Sequence, residues 1–313
     1  MKVSVKVPAT TANIGPGFDT LGMALPLYNT VTIEETVLPG TGVEINVIAD
    51  GIAMDEFALE HIPLDENSIV YKAVELLYNS IGQSPSELKI TIKSGIPVAR
   101  GLGSSASVIV GALIGANELL GKPADDLALL SIACELEGHP DNITPAFVGG
   151  LVISSQEEDG SVVYRKLNWP NEWAITVCVP DFELSTDIAR SVLPKEVSLK
   201  DAVFNAQRLA MFVEAVHTKD AELLKLALKD RLHQPYRMKL IQGLDEIMDA
   251  FKHIDDVYGC VISGAGSSIL VISNKSNLEN IQNTVKDIWT SLNIKCEIKT
   301  LNVEQDGAQI VEE

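Results

Sequence analysis

Positive charge is in short supply. The 313-residue chain carries 24 Lys and Arg against 43 Asp and Glu, for a net charge of −19. Such a balance argues against nucleic acid and an anionic membrane as partners, because both are polyanions. Long apolar runs are missing too. Stretches such as residues 108–116 fall far short of a membrane span. The chain opens directly on the strand-like alternation Val3-Ser-Val-Lys-Val7 with no apolar leader, so a cytoplasmic protein is expected. Cys134, Cys178, Cys260 and Cys296 stand singly inside apolar segments, with no CxxC spacing and no His cluster, which leaves four buried thiols rather than a zinc site. Internal repeats and low-complexity tracts are absent.

What is present centres on one stretch: Pro97, Val98, Ala99, Arg100, Gly101, Leu102, Gly103, Ser104, Ser105, Ala106 and Ser107. It joins a strand-like run, residues 88–94, to an apolar segment, 108–120, that reads as a buried helix. Two glycines and three serines at a helix mouth leave backbone N–H groups without partners. Together with the positive end of the helix dipole they suit an anion, most naturally a phosphate. An ordinary N-capped loop satisfies the same residues. A Walker A loop does not, since no Gly-Lys-Ser/Thr closes the stretch. Gly101-x-Gly103-x-x-Ala106 has dinucleotide spacing, but residues 95–100 intervene between strand and glycines where that motif has none.

Along the chain, the first strand is expected to end in a loop from Pro8 to Asp19, where Thr10, Thr11, Asn13 and Asp19 either line a polar pocket or form a solvated turn. Tyr28 to Thr36 and Thr41 to Ala49 read as a strand pair. Helices follow over 69–81 and 127–136. The second delivers Glu135 and Glu137 to a turn that carries His139, Asp141 and Asn142 at its tip. A strand over 151–155 and an acidic turn close this half, and the boundary is placed in the segment 156–171, giving domains 1–160 and 161–313. The second half reads as a strand at 173–179, helices at 186–193, 199–217 and 221–229, an irregular basic segment at 231–242 and a helix at 244–253. It ends as strand, the turn 264–268, strand, helix and strand. That order is an α+β two-layer pattern with a split βαβ sheet.

Phosphoryl transfer needs a phosphate cradle, a magnesium ion on oxygen ligands and a pocket that aims an attacking hydroxyl. Ser104 or Ser105, with a carboxylate from the neighbouring helix, could hold the ion. Glu135 is the candidate, against the alternative of a surface glutamate. Arg190 and Arg237 have the planar, bidentate geometry that clamps a carboxylate, and equally that of surface ion pairs.

Three stretches in order, Pro8-Ala-Thr-Thr-Ala-Asn-Ile-Gly-Pro-Gly-Phe-Asp19, Pro97 to Ser107 and Ser263-Gly-Ala-Gly-Ser-Ser268, resemble the three motifs of the GHMP small-molecule kinases. With Glu135-Leu-Glu-Gly-His-Pro-Asp-Asn142, Ser185-Thr-Asp-Ile-Ala-Arg190 and Gln234-Pro-Tyr-Arg237, the likeness is greatest to the homoserine-phosphorylating branch. The resemblance implies a two-domain α+β fold, with an N-terminal domain of the ribosomal-protein-S5 domain-2 type and a ferredoxin-like C-terminal domain. It implies ATP-dependent phosphorylation of the homoserine hydroxyl, with ATP and Mg2+ as cofactors, and it is compatible with a homodimer. Other GHMP alcohol kinases and a catalytically inactive nucleotide-binding regulator are the rival readings. By position, Pro97 to Ser107 would wrap the ATP phosphates and Asn67 would reach the nucleoside side. Ser105, Glu135 and Thr186 would hold magnesium. Asn13, Asp19, Asp141, Asn142, Arg190 and Arg237 would surround homoserine. Glu135, Asp141 and Asn142 are placed in the catalytic group, with Asp141 either a base or a substrate ligand. The third motif departs from the usual Gly-Ser-Gly-Pro, which bears on loop geometry.

Overall fold

The alternation of Val3, Val5 and Val7 buries one face of a first strand, β1 (Lys2–Asn13). This strand does not stop at Pro8. It pairs with β2 (Gly17–Glu35) as far as Asn13, with irregularities in register at Pro8/Ala9 and Ala12/Asn13. Proline is tolerated at such a bulge because the ladder bond it cannot make is already interrupted. The small residues Ala9 to Ala12 are fully buried, so the expected loop is a strand pair and only its tip turns. The computed structural model describes residues 1–36, 42–50, 62–85 and 87–312.

β3 (Val43–Ala49) pairs in parallel with β4 (Leu88–Ser94), and β4 lies between it and β2. The two segments read as a strand pair therefore share a sheet without touching, and Thr41 lies outside the described residues. The sheet runs β11-β1-β2-β4-β3, with β5 (Leu151–Gln156) on β2, β6 (Val162–Leu167) on β5, and β11 (Gln309–Val311) on β1. The expected boundary between 160 and 161 falls in the β5–β6 turn, and both β6 and β11 stay with the first sheet. Helices α1 (Ile69–Ser80), α2 (Ser104–Leu119), α3 (Asp126–Glu137) and α4 (Pro140–Val148) pack on it through a core that includes Val5, Ile33, Val74, Ile90, Leu113 and Leu130.

α4 stands where a turn was expected. Pro140 occupies the first helical position, where its missing N–H is harmless and its fixed φ favours the helix. Pro145 then withholds the N–H that would bond the Asp141 carbonyl, and that carbonyl instead packs on Gly22 of β2. A Cβ at Gly22 would sit 1.7 Å from the Asp141 oxygen, so only glycine permits the contact.

The second sheet is antiparallel, ordered β10-β7-β9-β8 from β7 (Trp173–Pro180), β8 (Val257–Ile262), β9 (Ile269–Asn274) and β10 (Cys296–Leu301). Its order and its strand-helix-strand-strand-helix-strand sequence are those of the ferredoxin-like arrangement. Between β7 and β8 lie α5 (Thr186–Ser191), α6 (Leu199–Thr218), α7 (Ala221–Ala227), the short α8 (Gln234–Arg237) and α9 (Leu244–Phe251). α10 (Leu278–Ser291) packs on the sheet through Ile281, Val285 and Trp289. One apolar cluster spans both halves, joining Leu21, Met23 and Leu102 to Ile175, Leu270 and Ile272. Cys134, Cys178 and Cys260 are buried, Cys296 is half-buried, and all four are free thiols. Among the described residues no helix is long and apolar enough to cross a membrane.

Candidate active site

The three glycine-rich stretches meet where the halves join. Thr10 N donates to Leu102 O (3.1 Å), Gly264 N to Ala12 O (3.1 Å) and Ser268 N to Arg100 O (3.1 Å). Ser263 Oγ lies 2.8 Å from Thr11 Oγ1 and 2.7 Å from Gly101 O. Such close backbone approach explains the glycines. Gly101 has φ +71° and a Cβ there would lie 2.1 Å from Ser263 O; Gly103 has φ +67° and its Cβ would lie 1.9 Å from Thr10 Oγ1.

Above this junction opens a cleft of about 710 Å³, a volume suited to small-molecule ligands. Pro97 through Ser105 line one wall, and Gly103 is the N-cap of α2, so the free N–H groups of its first turn face the cleft end of the helix. Ala106 and Ser107 are not part of the lining. Both are buried behind it, and Ser107 Oγ accepts from Asn29 Nδ2 (2.8 Å) while donating to Ser104 O (2.7 Å). Arg100 lines the cleft but turns its guanidinium to the other half, with Nε donating to Pro180 O (3.2 Å), Nη2 to Asp181 O (3.3 Å) and Nη1 3.4 Å from Glu183. It braces the halves. Asn67 is exposed at the rim, its amide on Asp65.

The carboxylate beside the Pro97–Ser105 wall is Glu137, not Glu135. Ser105 Oγ donates to Glu137 Oε2 at 2.8 Å, and both residues line the cleft. Glu135 is exposed and outside the lining. At 3.6 residues per turn, two positions two apart point to nearly opposite sides of α3, so only one can face inward. Burial pushes the Glu137 carboxyl above its ordinary value, while His139 and the Ser105 hydrogen bond pull the other way.

The same cleft gathers carboxylates and guanidinium groups beside that wall. Arg190 meets Asp19 through two hydrogen bonds, Nη2 to Oδ1 (2.8 Å) and Nη1 to Oδ2 (3.3 Å). Asn13 and Asp19 hold left-handed backbones, φ +70° and +51°, and Asn13 Oδ1 accepts from Asp19 N (3.1 Å). Arg237 is buried; its Nε donates to Ala189 O (3.1 Å) and its Nη1 to Gly264 O (3.1 Å). Burial, reinforced by Arg190, lowers its pKa to about 10. Asp141 and Asn142 sit in the first turn of α4. Asp141 Oδ1 lies 2.6 Å from His139 Nδ1, and Asn142 Oδ1 accepts from Thr10 Oγ1 (2.7 Å). Asp19, His139 and Asp141 place one ligand atom each within 4.8 Å of one another, a compact seat for a cation. Thr186 is exposed on the lining at the start of α5.

His139 and Glu137 are the members that sequence reasoning passed over. A lone His reads as structural, and the pairing that marks it, His-x-Asp across the start of a helix, is visible only once α4 is recognised. Burial opposes its charge, but the hydrogen bond and charge of Asp141, aided by Glu137 and Asp19, outweigh this and hold its pKa above the ordinary value.

The chain matches the family model of the GHMP kinases N terminal domain over residues 68–150 and that of the GHMP kinases C terminal over 212–290. It is 39% identical to homoserine kinase of Crocosphaera subtropica over 308 residues, covering 98% of this chain and 97% of that one. It is 41% identical to homoserine kinase of Caldicellulosiruptor saccharolyticus over 306 residues, covering 98% and 95%. The chain belongs to the homoserine kinase family. A crystal structure of homoserine kinase from Cytophaga hutchinsonii superposes with a TM-score of 0.86 at 28% identity, covering 99% of this chain and 97% of that one. The two-domain GHMP kinase fold implied by the motifs is the fold present. Within this homoserine kinase family member, the two domain models take in the Pro97–Ser105 wall, Glu137, Asp141 and Arg237, whereas the Asn13–Asp19 turn and Arg190 lie outside both.

Proposed function

We propose that the chain transfers the γ-phosphoryl group of ATP to the side-chain hydroxyl of L-homoserine in this cleft. The carrying observation is one cavity lined both by a glycine-rich helix start and by carboxylates and arginines. Backbone N–H groups of residues 101–105 would hold the phosphates, and Asn67 at the rim would take the nucleoside side. Asp19 and Asp141 would bind the ammonium, with Arg190 and Arg237 on the carboxylate.

Ser105 and Glu137 supply the hard oxygen donors that magnesium takes, and their mutual hydrogen bond at 2.8 Å keeps them adjacent. Thr186 is a further hydroxyl on the same lining. The ion, when bound, neutralises charge on the β- and γ-phosphates. Glu135 has no part in this reading.

The homoserine oxygen forms its bond to the γ-phosphorus as the bond to the β–γ bridging oxygen breaks, and ADP leaves. The transition state of such transfers is loose, so the hydroxyl proton need not be removed first; it passes to solvent as the ester forms. With its Oδ1 engaged by His139, Asp141 serves as a binding group, and catalysis rests on positioning and charge neutralisation. Asn142, fixed by Thr10, steers the hydroxyl.

The test is ADP release with homoserine, mevalonate, galactose and shikimate offered separately. Homoserine should be turned over best. Turnover of another alcohol with none of homoserine would remove the substrate assignment, and nucleotide binding with no turnover at all would favour a regulator.

A further inference from the structure

Behind the amino-acid end of the cleft lies a set of buried polar groups that line no part of it: Asn205, Asp230 and His233. His233 and Asn205 bear on residues 15–18, the tip between Asn13 and Asp19, and Asp230 holds both of them. His233 Nε2 lies 2.8 Å from Gly15 O, and Asn205 Nδ2 donates to Pro16 O (3.3 Å). The His233 ring stacks on Phe18, with centroids 5.3 Å apart and planes 24° from parallel. The same Phe18 ring lies 5.5 Å from the Arg190 guanidinium and 5.2 Å from that of Arg237. On the other side of the His233 ring, Nδ1 is 3.5 Å from Arg237 Nη1.

We propose that His233 is a positioning residue that ties the turn carrying Asn13 and Asp19 to Arg237, so that the ammonium and carboxylate sites keep one fixed spacing. The role presupposes the amino-acid reading of the cleft.

The chemistry of the neighbours fixes the state of the ring. A carbonyl oxygen can only accept, so Nε2 must carry the proton that Gly15 O receives. A guanidinium can only donate, so a bare Nδ1 is the state that suits Arg237 Nη1 at 3.5 Å. One ring meets both demands only as the neutral Nε2–H tautomer. Burial, with Arg237 beside it, also lowers the His233 pKa, although Asp230 and the Gly15 carbonyl pull upward. Asp230 does not compete for the ring. Its oxygens accept from Leu232 N (3.0 Å), His233 N (3.0 Å), Gln234 N (2.7 Å) and Asn205 Nδ2 (2.8 Å), and the closest approach to Nε2 is 3.6 Å. Asp230 thus organises the backbone that presents His233, and Gln234 Oε1, accepting from Ile262 N (2.9 Å), anchors that backbone to β8.

Two further observations make the link specific to substrate geometry. Arg237 Nη1 and Asn13 Nδ2 donate to the same Gly264 carbonyl, at 3.1 and 2.9 Å, so the clamp and the turn already share one reference atom. Gly15 has φ +81°, and a Cβ there would lie 2.7 Å from Leu228 O, so the tip is seated against the chain just before Asp230.

The experiment compares H233F, which keeps a ring for Phe18 but loses both polar contacts, with H233Q, whose amide can still donate to Gly15 O. Steady-state constants are measured for homoserine and for 3-aminopropan-1-ol, which lacks the carboxylate. H233F should raise the homoserine KM about tenfold, leave kcat and the ATP KM within about threefold, and shrink the preference for homoserine over the amino alcohol. H233Q should recover most of the loss. Placed in an R237M background, H233F should add less than about twofold, because both changes remove the same interaction. The role is overturned if H233F leaves the homoserine KM unchanged, if kcat and both KM values shift alike, or if the H233F and R237M effects simply multiply. Should H233F fail to fold, H233N, which leaves Gly15 O without its donor, gives the same reading. Failure of the substrate assignment itself would show in the wild type, which would then not turn over homoserine at all.

Discussion

At the scale of one residue, the proposed magnesium seat rests on Glu137. Glu135 and Glu137 are two positions apart on α3, and only Glu137 reaches Ser105. Glu137→Ala is expected to lower kcat by about 10²-fold or more at saturating substrates, the scale of losing one well-placed electrostatic group. Glu135→Ala should stay close to wild type. The paired assay is ADP release with homoserine under saturating magnesium, and equal effects of the two substitutions would refute the assignment. His139 gives a second test, in pH. Its folded pKa is raised, so the stabilisation from the His139–Asp141 pair is fully present below the unfolded value, about 6.5, and is lost as pH rises through the folded value. The melting-temperature gap between wild type and His139→Gln should therefore be wide near about pH 5.5 and narrow by about pH 9. A gap that widens with pH would show that the shift has the other sign.

Among the elements, the Pro97–Ser105 wall depends on backbone that only glycine adopts without cost. Gly101→Ala sets a methyl into Ser263 O and forces alanine into a left-handed backbone, itself worth about 1–2 kcal/mol. The melting temperature should fall and the ATP KM should rise more than the homoserine KM; the reverse order would separate this wall from ATP. The same stretch shows what the sequence could reveal. The glycines, serines and following apolar run locate a helix start with free donors, and the ferredoxin-like order of the second half follows from its strand and helix pattern. Three things were hidden. The run from Ala9 to Asn13 looks like a loop by composition, but burial between two halves lets small and β-branched residues continue a strand. α4 begins with Pro-Asp-Asn, the chemistry of a turn, and becomes a helix because Pro140 suits its first position and Gly22 leaves room for the carbonyl that Pro145 frees. The choice between Glu135 and Glu137 is a matter of helix phase, set by Leu130, Ala133 and Cys134 turning into the core.

For the whole molecule, function depends on holding two sheets at one cleft. Arg100 donates to the Pro180 and Asp181 carbonyls and faces Glu183, all in the other half. Arg100→Met should cost roughly 2 kcal/mol of stability, the scale of buried hydrogen bonds to a charged group. It should also raise both KM values together, because it loosens the wall against both substrates. A rise in the ATP KM alone would make Arg100 a phosphate ligand instead of a brace.

In the proposed reaction, phosphoryl leaves ATP at the glycine-rich wall and arrives on homoserine beside the charged side chains of the same cleft. Phosphorus NMR of the chain with ATP, magnesium and L-homoserine reads this directly. A phosphomonoester resonance should grow at the rate the γ-phosphate resonance is lost, and Glu137→Ala should nearly abolish it. Release of the γ-phosphate as inorganic phosphate with homoserine unchanged, or ester formation at the wild-type rate by Glu137→Ala, would contradict the account.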